Sequence, residues 1–155
     1  MQTPDGRGVA FGKYRVLRRV GEGAFGVVYE AQLPGPRGFT KRVAIKRIRA
    51  SVIDEDPRFV QSMVNEARIG GLLHHANIVD IFEFGQEGPH YYLAMEFVDG
   101  ATLDGIMRLC SKRRVLLPRF AVVDLAMQVC RGLHYAHSFR DPGGQRLELI
   151  HRDMK

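Results

Sequence analysis

Val20-Gly21-Glu22-Gly23-Ala24-Phe25-Gly26-Val27-Val28-Tyr29 carries three glycines at G-x-G-x-x-G spacing. Glycine lacks the Cβ that keeps a backbone away from its neighbour, so such a loop can lie against a phosphate chain. The pattern alone is ambiguous, because dinucleotide folds use it too. There the third glycine opens a helix, and an acidic residue follows about 20 residues later. Here Gly26 leads into Val27-Val28-Tyr29, a β-branched and aromatic run that reads as strand. About 20 residues further on, Val43-Ala44-Ile45-Lys46 reads as a strand that ends in a cation. The order is strand, glycine turn, strand, and then a lysine on the next strand.

At 155 residues and 45% hydrophobic, the chain is long enough to bury an ordinary core. The first 16 residues are polar with Gly and Pro, without the apolar run of a secretory leader. Nothing approaches the roughly 18 apolar residues of a membrane span. The expectation is a soluble, cytoplasmic chain whose two cysteines, Cys110 and Cys130, are free thiols. The formal charge of +6 invites a nucleic-acid reading. Its basic clusters are scattered over different elements, however, with no interleaved aromatics to stack bases, so no nucleic-acid partner is expected.

Outward from the glycine loop, Tyr14–Val20, Val27–Gln32 and Arg42–Ile48 read as the first three strands, with a turn over Leu33–Gly38. Asp54-Glu55-Asp56-Pro57 reads as a helix start, with acids at the positive dipole end. That helix runs to about Leu73 or His74. Phe59, Met63, Glu66, Gly70 and Leu73 share one of its faces. A carboxylate within that stripe either leans into water at the boundary or meets a cation. Strands over Ile78–Phe84 and His90–Phe97 follow, then helices from Thr102 to about Arg114 and from Pro118 to about His137. Val122, Leu125, Val129, Leu133 and Ala136 form an apolar stripe on the last helix. Leu147–Ile150 reads as a short strand that delivers His151-Arg152-Asp153-Met154-Lys155. Cys130, His134 and His137 lie at i, i+4, i+7, but no fourth ligand is evident, so helix packing is preferred and no metal site is assigned.

The ordered set G-x-G-x-x-G-x-V, V-A-I-K, a helix glutamate and H-R-D resembles the protein kinases, in the style of the bacterial Hanks-type Ser/Thr enzymes. The resemblance covers about residues 14 to 155. It implies an α+β kinase-like fold: residues 1–13 a flexible N-terminus, 14–98 a small lobe and hinge, and 99–155 the start of a large lobe. The small lobe is expected to hold a five-stranded antiparallel sheet plus one helix. ATP is then expected against Val20, Gly21, Glu22, Gly23, Ala24, Phe25, Gly26, Val27, Val28, Ala44 and Lys46. Met95 becomes the gatekeeper, and the Glu96 and Val98 backbone reads the adenine edge. Glu66 is expected to pair with Lys46 and hold it on the α/β-phosphates. Asp153 takes the role of base, and Lys155 that of stabilising the γ-phosphoryl.

Lysine at 155 resembles the Ser/Thr kinases, so the implied reaction is ATP-dependent phosphorylation of Ser or Thr in proteins. Two features depart from the pattern: the longer Asp141-Pro142-Gly143-Gly144 turn, and Gly70 where the family places a bulky apolar residue, which suggests looser packing there. The family's catalytic-loop Asn and D-F-G, which hold Mg²⁺, are not among these residues. The resemblance places the Mg²⁺ ligands beyond Lys155 and makes this stretch alone inactive. The alternative is a non-catalytic nucleotide-binding or regulatory module. Retention of Lys46, Glu66, Asp153 and Lys155 speaks for the enzyme.

Overall fold

One buried apolar cluster takes alternate residues of three neighbouring strands: Val27, Tyr29 and Ala31 on one, Val43 and Ile45 on the next, Tyr92 and Ala94 on the third. A period of two is what a strand with one face on a core requires. The structure, a computed structural model, describes residues 9–23, 25–55, 58–147 and 149. Its chain divides into two units. One runs up to Leu72 and adds Val79–Val98; the other takes Leu73–Ile78 and the chain from Asp99 on.

The first unit is an antiparallel sheet with short helices. Its strands are β1 (Ala10–Phe11), β2 (Tyr14–Glu22), β3 (Gly26–Pro34), β4 (Thr40–Ile48), β5 (Ile81–Glu87) and β6 (His90–Glu96). They lie in the order β1-β2-β3-β4-β6-β5. Among the described residues the sheet therefore has six strands, where five were expected. The extra one is the two-residue β1, inside the segment expected to be flexible, pairing Phe11 with Tyr14. Phe11 explains its place: it is buried, and its ring meets those of Tyr29 and Tyr92 at 6.2 and 5.6 Å. The fourth expected strand starts three residues late, at Ile81. A turn closed by the Ile78 amide on the His75 carbonyl (2.9 Å) occupies the residues before it.

The sheet's two edges are tied together by Glu83 of β5. Tyr14 donates its hydroxyl to Glu83 Oε2 (3.0 Å) and Tyr92 donates to Oε1 (3.2 Å). Lys13 Nζ lies 2.7 Å from Oε2. The Gly12 amide, next to β1, donates to Glu87 Oε2 at 3.1 Å. The Lys13 hydrogen bond, with help from the two phenols and against partial burial, holds the Glu83 carboxyl below its ordinary range. Burial first, and then Glu83, pushes the Tyr14 and Tyr92 hydroxyls up to about 12.

The signs follow by linkage. The lowered carboxylate stabilises the fold above the ordinary value of 4.5, and that contribution is lost as pH falls through its folded value. The raised phenols stabilise the fold below 10, and their contribution is lost as pH rises toward 12. Stability is expected to fall at both ends. Glu83→Ala, which strands two phenols, is expected to cost about 2–3 kcal/mol at neutral pH and to flatten the acid limb. Denaturant melts against pH check this; a Glu83→Ala profile that superimposes on wild type contradicts it.

Two helices follow β4: α1 (Ala50–Glu55) and α2 (Arg58–Gly70). The expected single helix start at Asp54 falls inside α1, and Asp56 and Pro57 lie outside the described residues. On α2 the buried residues are Met63 and Ala67. The next turn brings Gly70 onto β5: a Cβ at Gly70 would sit 2.3 Å from Ile81 Cδ1. Looser packing was the expectation at Gly70. Instead Ile81 reaches from the strand into the space a bulky helix residue would take.

In the second unit, α3 (Leu103–Arg113) starts as expected, with Thr102 Oγ1 accepting from the Gly105 amide at 3.1 Å. α4 (Arg119–Ser138) follows Pro118. The Leu73–Ile78 loop lies on α4: His75 stacks on Tyr135 with centroids 5.1 Å apart, and Asn77 Nδ2 donates to Gln128 at 3.1 Å. Gly132 makes that approach possible, since a Cβ there would come within 3.1 Å of the Asn77 carbonyl. Val122, Leu125 and Val129 of the expected stripe are exposed. The expected strand at 147–150 is reduced, among the described residues, to a bridge between Arg140 and Arg146. Glu148 and Ile150 lie outside those residues. Among the described residues no helix is long and apolar enough to cross a membrane.

Candidate functional site

The register of the sheet gathers most of the expected nucleotide residues on one face. Val28 of β3 lies opposite Lys46 of β4, which lies opposite Leu93 of β6. One step along, Ala44 lies opposite Met95. Directly opposed residues project to the same side, and so do residues two apart on a strand. Val28, Ala44, Lys46 and Met95 therefore share a face, the one opposite the buried row of Tyr29, Ile45 and Ala94. Ala44 is buried, Val28 and Lys46 are half-buried, and the small Ala44 leaves room beside the lysine stem.

The glycines of the β2–β3 turn do different jobs. A Cβ added at Gly21 or Gly23 would meet nothing within 4 Å, so the backbone there presents an open surface. A Cβ at Gly26 would lie 2.1 Å from the Arg47 carbonyl, so this glycine lets β3 run tightly beside the end of β4. The turn closes with the Gly23 amide on the Gly26 carbonyl at 2.9 Å. Glu22 pairs with the guanidinium groups of Arg19 and Arg49. Val20 and Phe25 are about half exposed, and Val27 is buried against the core.

Met95 and Glu96 end β6, and the Glu96 amide is taken by the Asp80 carbonyl at 2.8 Å. Val98, past the strand, is exposed. Glu96 lies opposite Val43, one step along from the Ala44–Met95 pair.

The expected Lys46–Glu66 pair does not form in this structure. Among the described residues neither side chain makes an ion pair, and Glu66 is exposed. The line of contact on α2 explains this. It runs through Met63, Ala67 and Gly70; Glu66 lies on the flank of that line, about 60° round from Met63 and about 100° from Ala67, and faces solvent. The Met63-to-Ala67 step was missed because alanine carries little hydrophobic signal. Ala24, His151, Arg152, Asp153 and Lys155 lie outside the described residues. Among the described residues there is also no group of three His, Cys, Asp or Glu side chains able to hold a metal ion.

A buried carboxylate missed by the sequence reading borders this face. Glu30 lies opposite Ala44. It pairs with Arg18 at 2.7 Å and Arg42 at 3.6 Å, with its side chain only 8% exposed. Arg42 also lies over the Phe97 ring at 5.0 Å. Its alternation with Tyr29 and Ala31 placed it off the core face, but its burial depends on arginines from two other strands.

Comparison with known proteins agrees with this geometry. Residues 14–155 match the protein kinase domain family. The chain is 35% identical over 144 residues to the tyrosine-protein kinase MasK of Myxococcus xanthus, covering 93% of this chain and 22% of that protein. It is 36% identical over 148 residues to the serine/threonine-protein kinase Pkn1 of Myxococcus xanthus, covering 96% and 19%. The crystal structure of the Mycobacterium tuberculosis PknI kinase domain superimposes with a TM-score of 0.68 at 28% identity, covering 84% of this chain and 50% of that one. The chain thus spans about a fifth of these two curated relatives and half of the solved kinase domain. With the family matched over almost its whole length and the glycine hairpin, lysine strand and α2 in the corresponding fold, the chain belongs to the protein kinase family.

Proposed function

We propose that this chain supplies the ATP clamp and the catalytic base for phosphorylation of Ser and Thr hydroxyls in proteins. The observation that carries the reading is the single sheet face formed by Val28, Ala44, Lys46 and Met95, flanked by the open backbone of Gly21 and Gly23. Val20, Val28, Ala44 and Met95 take the flat apolar base of ATP. The glycine backbone approaches the phosphates, and the Lys46 ammonium neutralises part of their charge. Asp153 orients and accepts the proton of the attacking hydroxyl, and Lys155 meets the charge on the transferring phosphoryl. The γ-phosphorus–oxygen bond to ADP breaks as the bond to the hydroxyl oxygen forms. Mg²⁺, which this family uses with ATP, would neutralise phosphate charge when bound. Among the described residues no group of three His, Cys, Asp or Glu side chains could hold it.

Relatives named as a serine/threonine kinase and as a tyrosine kinase leave the accepting residue to be chosen. Lys155, two residues after Asp153, favours Ser and Thr. Phosphoamino-acid analysis after incubating the full-length protein with γ-labelled ATP tests this. Label is expected on serine or threonine; label confined to tyrosine, or no transfer at all, overturns the reading.

A further inference from the structure

Phe25 stands at the tip of the glycine turn, 51% exposed. Its ring stacks on that of Phe59 in the first turn of α2, with centroids 5.6 Å apart and planes 23° from parallel. The same tip is held a second time. The Arg49 amide donates to the Phe25 carbonyl at 3.2 Å, and the Arg49 guanidinium pairs with Glu22 on the other side of the turn. Both arms of the glycine loop are therefore fastened to the segment that follows β4, where the next two elements are α1 and α2.

We propose that Phe59 is a positioning residue for the glycine loop. Its ring fixes the loop over the lysine face before nucleotide arrives, so that ATP binds a loop already ordered. This rests on the reading that the loop receives the phosphates of ATP. A turn with three glycines has many conformations to lose, and any ordering left until binding weakens the affinity. A contact made beforehand removes that part of the cost in proportion to the population it holds in place. An aromatic pair of ordinary strength corresponds to a roughly 3- to 10-fold effect on such an equilibrium.

The test uses the full-length protein and two readouts. The first needs no nucleotide: hydrogen exchange at the Arg49 amide, whose bond to Phe25 reports on the loop. The second is ATP affinity, set against kcat. Phe59→Ala is expected to speed Arg49 exchange and weaken ATP binding, each by about 3- to 10-fold, with kcat at saturating ATP changed less than twofold. Phe59→Tyr keeps a ring and is expected to match wild type in both. Phe59→Leu keeps apolar volume; it is expected to melt with wild type yet share the weaker binding, which separates lost stacking from a lost fold. The Phe25→Ala/Phe59→Ala double variant is expected to bind ATP no more weakly than the weaker single variant.

Unchanged exchange and affinity in Phe59→Ala, tighter ATP binding, or fully additive single effects overturn the proposal. If wild type fails to bind ATP, the nucleotide reading falls, and Phe59 as a positioner of an ATP loop falls with it. Arg49 exchange then still decides whether the stack orders the turn.

Discussion

Lys46→Met in the full-length protein is expected to lower phosphoryl transfer by about 10²–10³-fold, the size of losing one preorganised charge from a transition state. Methionine keeps most of the length and apolar stem of lysine, so the half-buried position on β4 stays filled between Val28 and Leu93. What disappears is the ammonium. Its neighbours on that face, Val28, Ala44 and Met95, carry no charge that could take over its role. The substitution therefore separates the electrostatic role of the residue from its structural one: the melting midpoint is expected to stay close to wild type while kcat/KM collapses. Steady-state kinetics beside a thermal melt reads both. Unchanged turnover removes Lys46 from the clamp.

Asp153→Asn is expected to be as damaging, by a different route. Asparagine keeps the shape and a carbonyl acceptor but cannot take a proton at neutral pH. General-base assistance is typically worth about 10²–10⁴-fold. Because the role assigned to Asp153 begins only when the hydroxyl attacks, kcat is expected to fall by that factor while ATP affinity stays within about threefold. An isothermal titration with ATP beside single-turnover transfer distinguishes the two. Loss of ATP binding in this variant shows that Asp153 is not the base.

The glycine turn was legible in the sequence because its signal is local. Three glycines followed by a β-branched run admit few readings, and the strand register then places Val28, Ala44, Lys46 and Met95 on one face automatically. What the sequence hid depends on partners far along the chain. β1 exists because Phe11 finds Tyr29 and Tyr92, and because Glu83 and Glu87 hold Lys13 and Gly12, more than 65 residues away. The helix over Ala50–Glu55 was not visible in a stretch whose acids and proline read as a helix start further on. Glu66 shows the limit of periodicity. A stripe drawn through Met63 fits either Glu66 or Ala67 next, and the small residue that packs close was the weaker signal. Phe25 and Phe59 carried no motif, since a stacked pair between a turn and a helix follows no sequence period.

The role assigned to Lys46 puts its ammonium beside the phosphates of ATP. An acyl-phosphate derivative of ATP carries a reactive carbonyl at the end of its phosphate chain and acylates whichever lysine amine lies next to it. Peptide mass spectrometry then identifies that lysine. Acylation is expected at Lys46, suppressed by excess ATP and not by excess inorganic phosphate. Acylation spread over Lys13, Lys41 and Lys112, or labelling of Lys46 that ATP does not suppress, contradicts that role.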